Sequence, residues 1–323
     1  MRISSRLHNI IFGLIIFLVV IFFYKEISFH WIQLSNENIK LHFGYLFLAL
    51  LLVLAAYLAA TLGWKFLIFK VCNKRLTFSE SIGFVNISQI SKYIPGKLWS
   101  YALQVHLLAV HQVPKTLVLS VNLIMLLSLV MSATLLGLGN VLYSGGYLPN
   151  GLAIFLFGSL LCFYLFLILG GSWSINLTIR FVNIFLNEKI KAFELSIYDS
   201  IRAHFLFLIS NILFGSSGYY VAIGLGFHGN FKLFFPILSI VLFADSIGFL
   251  AFIVPGGLGV REGLIYAMLK PLIDLKTCFL LPFVFRLVTM VGDLLLGGIS
   301  LFLLKSFNDK VRLANEAVLL NEE

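Results

Sequence analysis

The residues of this sequence that could do chemistry lie beside an interruption of a long apolar segment, at Pro255. Arg261 and Glu262 are adjacent there, and three glycines come just before them: Gly256, Gly257 and Gly259. A charged side chain inside a bilayer costs roughly 2.5–3.5 kcal/mol on insertion scales, so two in one apolar segment need a reason. Neighbours on a helix do not face each other, and we therefore expect Arg261 and Glu262 to have different partners. They either bind a substrate or form a structural ion pair that holds the segment against another helix.

A second interruption, at Pro95-Gly96, offers groups that suit an anion. A helix that restarts after Pro95 presents its free N–H groups and the positive end of its dipole, with Lys97 in the first turn. Lys92 and Tyr93 come just before the proline. In the alternative interpretation, Lys92 and Lys97 only extend to the membrane–water boundary, where Tyr93 is an interfacial aromatic residue.

Polar residues also lie on one helical face before this interruption. Asn86, Gln89 and Tyr93 are spaced i, i+3 and i+7, which places them on the same side of a helix. They either line a polar cavity or make hydrogen bonds between helices.

Three further ionisable residues lie within apolar stretches, at Asp245, Arg286 and Asp293. Burial disfavours the ionised form of Asp245, which makes it either a proton carrier or a neutral hydrogen-bonding residue between helices. Arg286 and Asp293 are seven residues apart and hence on one helical face. We expect them to form an ion pair with Asp245 or Glu262 more readily than to contact a ligand, and we assign all three to coupling or gating.

Signals of catalysis and of metal binding are absent from the sequence. It contains no His-Glu-x-x-His, no Gly-x-Ser-x-Gly and no phosphate-binding loop that ends in Gly-Lys-Ser/Thr. Cys72, Cys162 and Cys278 share no metal-ligand spacing and are expected to be free thiols. We therefore predict no catalytic residue, no metal and no cofactor, in a protein that is not an enzyme.

The segments that hold these residues are apolar enough to be membrane helices. Of 323 residues, 60% are hydrophobic and 11% are charged, with a mean hydropathy of +1.01. Soluble domains are about a quarter charged, so this composition excludes a water-soluble protein. The net charge of +9 comes from basic residues at the ends of apolar runs, which does not indicate nucleic-acid binding. The composition predicts an all-α polytopic membrane protein.

Six full transmembrane helices are predicted, together with two broken segments. The six lie at about 8–24, 42–68, 117–143, 152–170, 203–226 and 279–304, and the broken segments at about 78–112 and 233–272. No small-residue cleavage site follows the first apolar run, which is therefore an uncleaved span rather than a signal peptide. A polar connection is expected over Arg180–Arg202, and a brief amphipathic helix after Lys305.

The distribution of Lys and Arg predicts that both termini lie in the cytoplasm. Arg2 and Arg6 precede the first span, and further basic residues follow the second, the fourth and the last spans. Each broken segment then enters and leaves the membrane on the same side, as a re-entrant hairpin, which keeps every basic loop inside. Two full crossings would also keep the termini inside but would disturb the loops between them.

A repeat of architecture relates two halves, about 42–143 and 203–304. Pro95 and Pro255 are 160 residues apart, and the same shift places spans 42–68 and 117–143 on the fifth and last spans. With the orientation above, the halves enter the membrane in opposite directions. Inverted repeats with broken helices at matching places are typical of transporters, whose substrates bind near the middle of the bilayer. Residues 1–323 are expected to form one transmembrane domain.

At the two interruptions the sequence resembles the lysylphosphatidylglycerol synthase transmembrane family, also called the flippase-like family. Lys92-Tyr93-Ile94-Pro95-Gly96-Lys97-Leu98-Trp99 is similar to the first motif of that family, and Pro255–Gly263 is similar to its second. The resemblance implies an inverted-repeat bundle with two re-entrant helices, which moves lipids with charged head groups between leaflets. Bifunctional members also carry an aminoacyl-transferase domain, and this chain is expected to be a stand-alone member without one.

We therefore expect a lipid translocase in the cell (inner) membrane of a bacterium or archaeon. Its partners would be membrane lipids, with an anionic or polyprenyl-phosphate-linked lipid as the substrate. Lys97 and the two helix N-termini would hold a phosphate, while Arg261 and Glu262 would form a second gate or bind the head group. One alternative is a membrane-embedded transferase acting on lipid phosphates, with Asp245 or Glu262 as the base. Another is an accessory protein of envelope lipid or polysaccharide assembly.

Overall fold

The structure, a computed structural model, is built from helices. It describes residues 41–91, 99–144, 150–186, 190, 192–228, 231–251, 257 and 259–320, and this part of the chain contains no β-strand. Ten α-helices lie within it. They are α1 (Phe43–Cys72), α2 (Phe78–Ser91), α3 (Trp99–Ala109), α4 (Lys115–Ser144), α5 (Asn150–Leu169), α6 (Ser172–Leu186), α7 (Ile197–Gly224), α8 (Phe234–Leu250), α9 (Val260–Leu269) and α10 (Leu275–Leu320).

Five runs among the described residues are long and apolar enough to cross a membrane. They are α1, α4 over Lys115–Gly139, α7, the run Phe231–Leu250 that joins a 3-10 turn to α8, and α10 over Leu275–Leu304. A sixth is added when α5 and α6 are taken together. The prediction of an all-α polytopic membrane protein is confirmed. The predicted first span, 8–24, lies outside the described residues.

Both broken segments form pairs of helices that pack against each other. α2 packs against α3, and α8 packs against α9. The first pair begins at a capping box, in which the Thr77 N–H donates to Glu80 Oε2 at 2.7 Å and the Glu80 N–H donates to Thr77 Oγ1 at 3.2 Å. In the second segment, Phe231–Leu250 by itself has the length of a span, which the sequence had not indicated. Re-entry of each pair on one side of the membrane stays a prediction.

The helix bounds in the two halves of the chain follow the offset seen in the sequence. α4 and α10 begin at Lys115 and Leu275, and α3 and α9 end at Ala109 and Leu269, so each pair of positions is 160 residues apart. The opposite direction of the two halves in the membrane stays a prediction, as does their organisation as one domain.

The chain divides into two compact units whose boundaries fall inside the long helices. The first unit takes its described residues from Met1–Val53, Ala133–Phe157 and Ile212–Thr289. It contains the pair α8–α9, and its core buries side chains such as Val221, Ile237 and Leu269 completely. Burial of apolar side chains there is what fixes the second broken segment against its neighbours.

The second unit takes its described residues from Leu54–Ser132, Gly158–Asn211 and Met290–Glu323. It contains the pair α2–α3, and its core is centred on the fully buried rings of Trp64, Phe84 and Phe207. The Trp64 indole N–H donates to Asn122 Oδ1 at 3.0 Å, so the one polar atom of that ring is satisfied inside the core.

A helix not expected from the sequence follows the fourth predicted span. α6 bends away from α5 by 96°. Gly171 forms the corner with φ +43°, and a Cβ there would lie 2.8 Å from the Leu195 carbonyl oxygen, so the turn requires glycine. The expected polar connection therefore contains a helix through Leu186. At the other end, α10 continues to Leu320 as one helix, where at most a brief amphipathic helix was expected after Lys305.

Candidate functional site

The candidate site lies in the first unit, where the second broken segment restarts as α9. Gly257 and Gly259 both have positive φ angles, +68° and +80°, which only glycine adopts without strain. A Cβ at Gly257 would lie 2.6 Å from the Gly248 carbonyl oxygen, because the backbone at Gly257 lies directly against the end of α8. Gly257 therefore allows a close approach of two backbone segments within the protein itself. Gly256 lies outside the described residues.

Glu262 is buried and has two partners. Its Oε2 accepts a hydrogen bond from the Gly259 N–H at 2.6 Å, which caps the start of α9 as in one half of a capping box. Its Oε1 lies 3.8 Å from Nη1 of Arg286 on α10. That distance makes an ion pair but is too long for a hydrogen bond. The expectation that Arg286 pairs with Asp245 or Glu262 is confirmed for Glu262.

Arg261 points to a different helix. Its Nη1 lies 2.7 Å from Oδ1 of Asp245 on α8, which is the distance of a charge-assisted hydrogen bond. The expectation that Arg261 and Glu262 have different partners is confirmed. Asp245, predicted to be a proton carrier or a neutral hydrogen-bonding residue between helices, is the partner of this guanidinium. The Arg261 Nε is buried and has no hydrogen-bond partner among the described residues.

The aliphatic stem of Arg261 lies over Gly248. A Cβ at Gly248 would come within 2.3 Å of Arg261 Cγ, so any larger residue would displace the side chain. The same glycine also contacts Gly257, and it therefore positions both the backbone at Gly257 and the guanidinium. Sequence reasoning missed Gly248, although it lies one helical turn after Asp245.

The four charged groups share one small cleft. It is lined by apolar and polar side chains in addition to the charges: Val241, Asp245, Arg261, Glu262, Ile265, Pro282, Phe285, Arg286 and Thr289. The space among them is roughly that of one water molecule. The exposed fractions fall from 31% for Asp245 and 23% for Arg261 to 15% for Arg286 and 7% for Glu262.

The arrangement is electrically neutral as it stands. Each of the two guanidinium groups is paired with one carboxylate in surroundings that are mostly apolar, where an unpaired charge would be energetically costly. A guanidinium holds a phosphate with the same fork of N–H donors that it uses for a carboxylate. The cleft can therefore bind an anion if that anion takes the place of Asp245 or Glu262, and it has no room for one otherwise.

Asp293 and Asn86 belong to the second unit and are not among the residues that line the cleft. Asp293 is buried two turns further along α10 than Arg286 and does not line the cleft. Asn86 on α2 is fully buried, and its Nδ2 donates to Thr61 Oγ1 at 3.1 Å and to the Ile82 carbonyl at 3.2 Å. Of the two interpretations of Asn86, the structure supports a hydrogen bond between helices.

The remaining predicted site residues belong to the first interruption. Lys92, Tyr93 and Lys97 lie outside the described residues, as does the side chain of Gln89, whose backbone belongs to α2. Their role in holding an anion stays a prediction. Among the described residues, no group of three or more His, Cys, Asp or Glu side chains lies close enough to hold a metal ion.

Comparison with known families gives a match over most of the chain. The family model described as lysylphosphatidylglycerol synthase TM region matches residues 10–297. The match covers the described helices α1 to α9 and the first half of α10, and it includes both broken segments. A comparison with curated proteins found none that matches this chain.

Proposed function

The chain belongs to the lysylphosphatidylglycerol synthase TM-region family, and we propose that it moves a lipid with a charged or phosphate head group from one leaflet to the other. The family and the apolar helices establish that this is a multi-pass membrane protein with a lipid-related role. The movement itself, the identity of the lipid and the absence of enzymatic activity belong to the proposal.

One observation carries the proposal, namely the pairing of Arg261 at a break in an apolar helix pair. Nη1 of its guanidinium lies 2.7 Å from Oδ1 of Asp245, and its buried Nε–H donates to no acceptor among the described residues. A lipid phosphate that enters the cleft would replace the carboxylate on the same guanidinium. Because one anion exchanges for another, the cation is never left without a counter-ion, which keeps the barrier low.

The second pair in the cleft suits a gate. Oε1 of Glu262 and Nη1 of Arg286 lie 3.8 Å apart, which is too long for a hydrogen bond. Separating this pair therefore costs less free energy than separating the hydrogen-bonded pair of Arg261 and Asp245. If Glu262 turns away, the N-terminus of α9 loses its cap and presents free N–H groups to an anion. Asp245, Arg286 and Asp293 then act in coupling or gating, and Lys92, Tyr93 and Lys97 complete the proposal as a phosphate site at the first interruption.

The substrate class is an anionic or polyprenyl-phosphate-linked lipid, in the cell membrane of a bacterium or archaeon with both termini cytoplasmic. Reporter fusions at each terminus, one active only in the cytoplasm and one only outside it, measure that topology. A terminus found outside would contradict the assignment of the basic loops.

The proposal is tested with purified protein in vesicles that contain a fluorescent phosphatidylglycerol in both leaflets. Addition of a membrane-impermeant reductant bleaches the outer leaflet at once and the inner leaflet only as lipid moves outward. We expect a rate above that of empty vesicles for the wild type, and a loss of about tenfold or more for Arg261→Ala. His228→Ala, at an exposed position of the same unit, is the matched control and should keep the wild-type rate.

Equal rates for the wild type and Arg261→Ala would contradict the proposal. Mass spectrometry of the lipids after incubation with candidate donors tests the rival reading, a transferase acting on lipid phosphates, because only an enzyme changes the mass of the lipid. An accessory protein of envelope assembly would give no movement and no altered lipid.

A further inference from the structure

The second unit contains a helix with an exposed apolar face that has no place in the proposed function. α6 covers 15 residues from Ser172 to Leu186, and its residues sort into three faces around the helix axis. One face is buried in the core of the unit through Ile175, Ile179 and Val182. The exposed face is almost entirely apolar and consists of Trp173, Leu177, Phe181, Ile184 and Phe185.

The third face is polar and binds the chain that follows. Asn176 exchanges two hydrogen bonds with the backbone of Phe193, at 2.8 and 2.7 Å. Ser172 exchanges two with the backbone of Leu195, at 3.1 and 2.7 Å. These side chains satisfy backbone groups of the returning segment. Since Ser172 and Asn176 are used in this way, the polar face of α6 is not a face that water covers.

α6 is not needed to complete the span before it. α5 has 20 residues and is about 30 Å long, which equals the thickness of the hydrocarbon core. α6 leaves it at 96°, so if α5 runs across the membrane, α6 runs along its surface. The turn keeps the apolar surface continuous, because the ring of Trp173 packs edge-on against that of Phe166 on α5 at 4.8 Å.

A charged residue at the edge of the exposed apolar face indicates that this face is covered by lipid. Arg180 is exposed and lies, by the helical period, between the polar face and the exposed apolar face. A cation at that border can extend to the lipid head groups while the apolar side chains beside it reach the acyl chains. Trp173 suits the same depth, at the boundary between head groups and acyl chains, because its ring is apolar and its N–H is a hydrogen-bond donor.

We propose that α6 lies in the plane of the membrane, at the leaflet where α5 ends, and that Arg180 binds the head groups of anionic phospholipids there. The apolar face anchors the helix among the acyl chains, and Arg180 makes the contact selective for negative charge. The inference is independent of lipid movement, because it concerns an outward face of the second unit and not the charged cleft of the first.

Nitroxide depth measurements test the orientation of α6. Labels are attached at Trp173→Cys, Leu177→Cys and Ile184→Cys, one at a time, in a background with Cys72, Cys162 and Cys278 replaced by alanine. The protein is placed in vesicles of phosphatidylcholine with phosphatidylglycerol. We expect the three labels at one depth, roughly 5–10 Å below the head groups. A helix that crosses the membrane would spread the labels at 173 and 184 over about 16 Å, and a helix in water would show no burial.

Labels at Ile154→Cys and Phe163→Cys are the matched control for this method. They are nine residues apart along α5, and a span requires them to differ in depth by about 13 Å. A depth gradient along α5 with none along α6 supports the proposal. A gradient along α6, or labels of α6 exposed to water, would overturn it.

Photo-crosslinking tests the selectivity for anionic lipid. A phosphatidylglycerol with a photoactivatable head group should label peptides of α6, and Arg180→Gln should lower that labelling about fivefold. Arg180→Lys should keep most of it, and a matching phosphatidylcholine probe should label all three proteins equally. Labelling that is unchanged in Arg180→Gln would overturn the role of Arg180.

Discussion

Glu262 has two structural tasks that substitution can separate. Glu262→Gln keeps an oxygen that accepts from the Gly259 N–H but removes the charge facing Arg286. Removing one member of a buried ion pair costs about 3–5 kcal/mol, and the 3.8 Å distance and the 15% exposure of Arg286 place this pair at or below the lower end. We therefore expect Glu262→Gln to lower the free energy of unfolding by about 2–3 kcal/mol. Glu262→Ala also loses the helix cap and should cost about 1 kcal/mol more.

The double variant Glu262→Gln/Arg286→Met tests whether the ion pair is needed for stability, for lipid movement or for both. It removes both charges, leaves an apolar side chain beside Phe285, and should recover most of the loss in stability. Unfolding is followed by the fluorescence of tryptophan, including the fully buried Trp64, as detergent micelles are titrated with SDS. The same protein in the bleaching assay should move lipid no faster than empty vesicles do.

Three results would refute this reasoning. If Glu262→Gln and Glu262→Ala lose the same stability, the cap contributes nothing. If the double variant loses the sum of what Glu262→Gln and Arg286→Met lose separately, the two residues do not interact. If the double variant moves lipid at the wild-type rate, the charges of this pair have no part in transport, and the pair is structural only.

Two further predictions follow from close contacts. Gly248→Ala places a Cβ 2.3 Å from Arg261 Cγ and should reduce the lipid-movement rate at least severalfold, whereas Gly263→Ala, with nothing within 4 Å, should not; equal rates would show that Gly248 does not position Arg261. Thr61→Val removes an acceptor of the Asn86 Nδ2 at 3.1 Å and should cost about 1 kcal/mol in the same SDS titration, and an unchanged midpoint would mean that this hydrogen bond is not stabilising.

The site could be predicted in part because helix geometry acts locally. The separate partners of Arg261 and Glu262 follow from their adjacency, since adjacent side chains leave a helix in different directions. The participation of Arg286 could be foreseen because a charge in an apolar span needs a counter-ion. The choice of Asp245 for one guanidinium and Glu262 for the other could not, because it depends on how α8, α9 and α10 pack.

Gly248 and α6 were missed for related reasons. A glycine in an apolar helix carries no local sign that an arginine stem from the next helix will lie over it. The sequence predicted a polar connection over Arg180–Arg202, and α6 contains two asparagines, Asn176 and Asn183. Their side chains instead bind the backbone of the returning chain, at Phe193 and Ile190, which only the folded structure brings within reach.

Composition and the two Pro-Gly breaks were enough to determine that this chain is a bundle of membrane helices interrupted at two places. Those features are properties of single segments, because hydrophobicity, proline and glycine act on the residues that carry them. The tertiary structure decided which charges meet, at Asp245–Arg261 and Glu262–Arg286, and which face of α6 is exposed. Those features depend on side chains from helices far apart in the chain. The helical period predicts on which side of its own helix a residue lies, but it does not predict which other helix packs against that side.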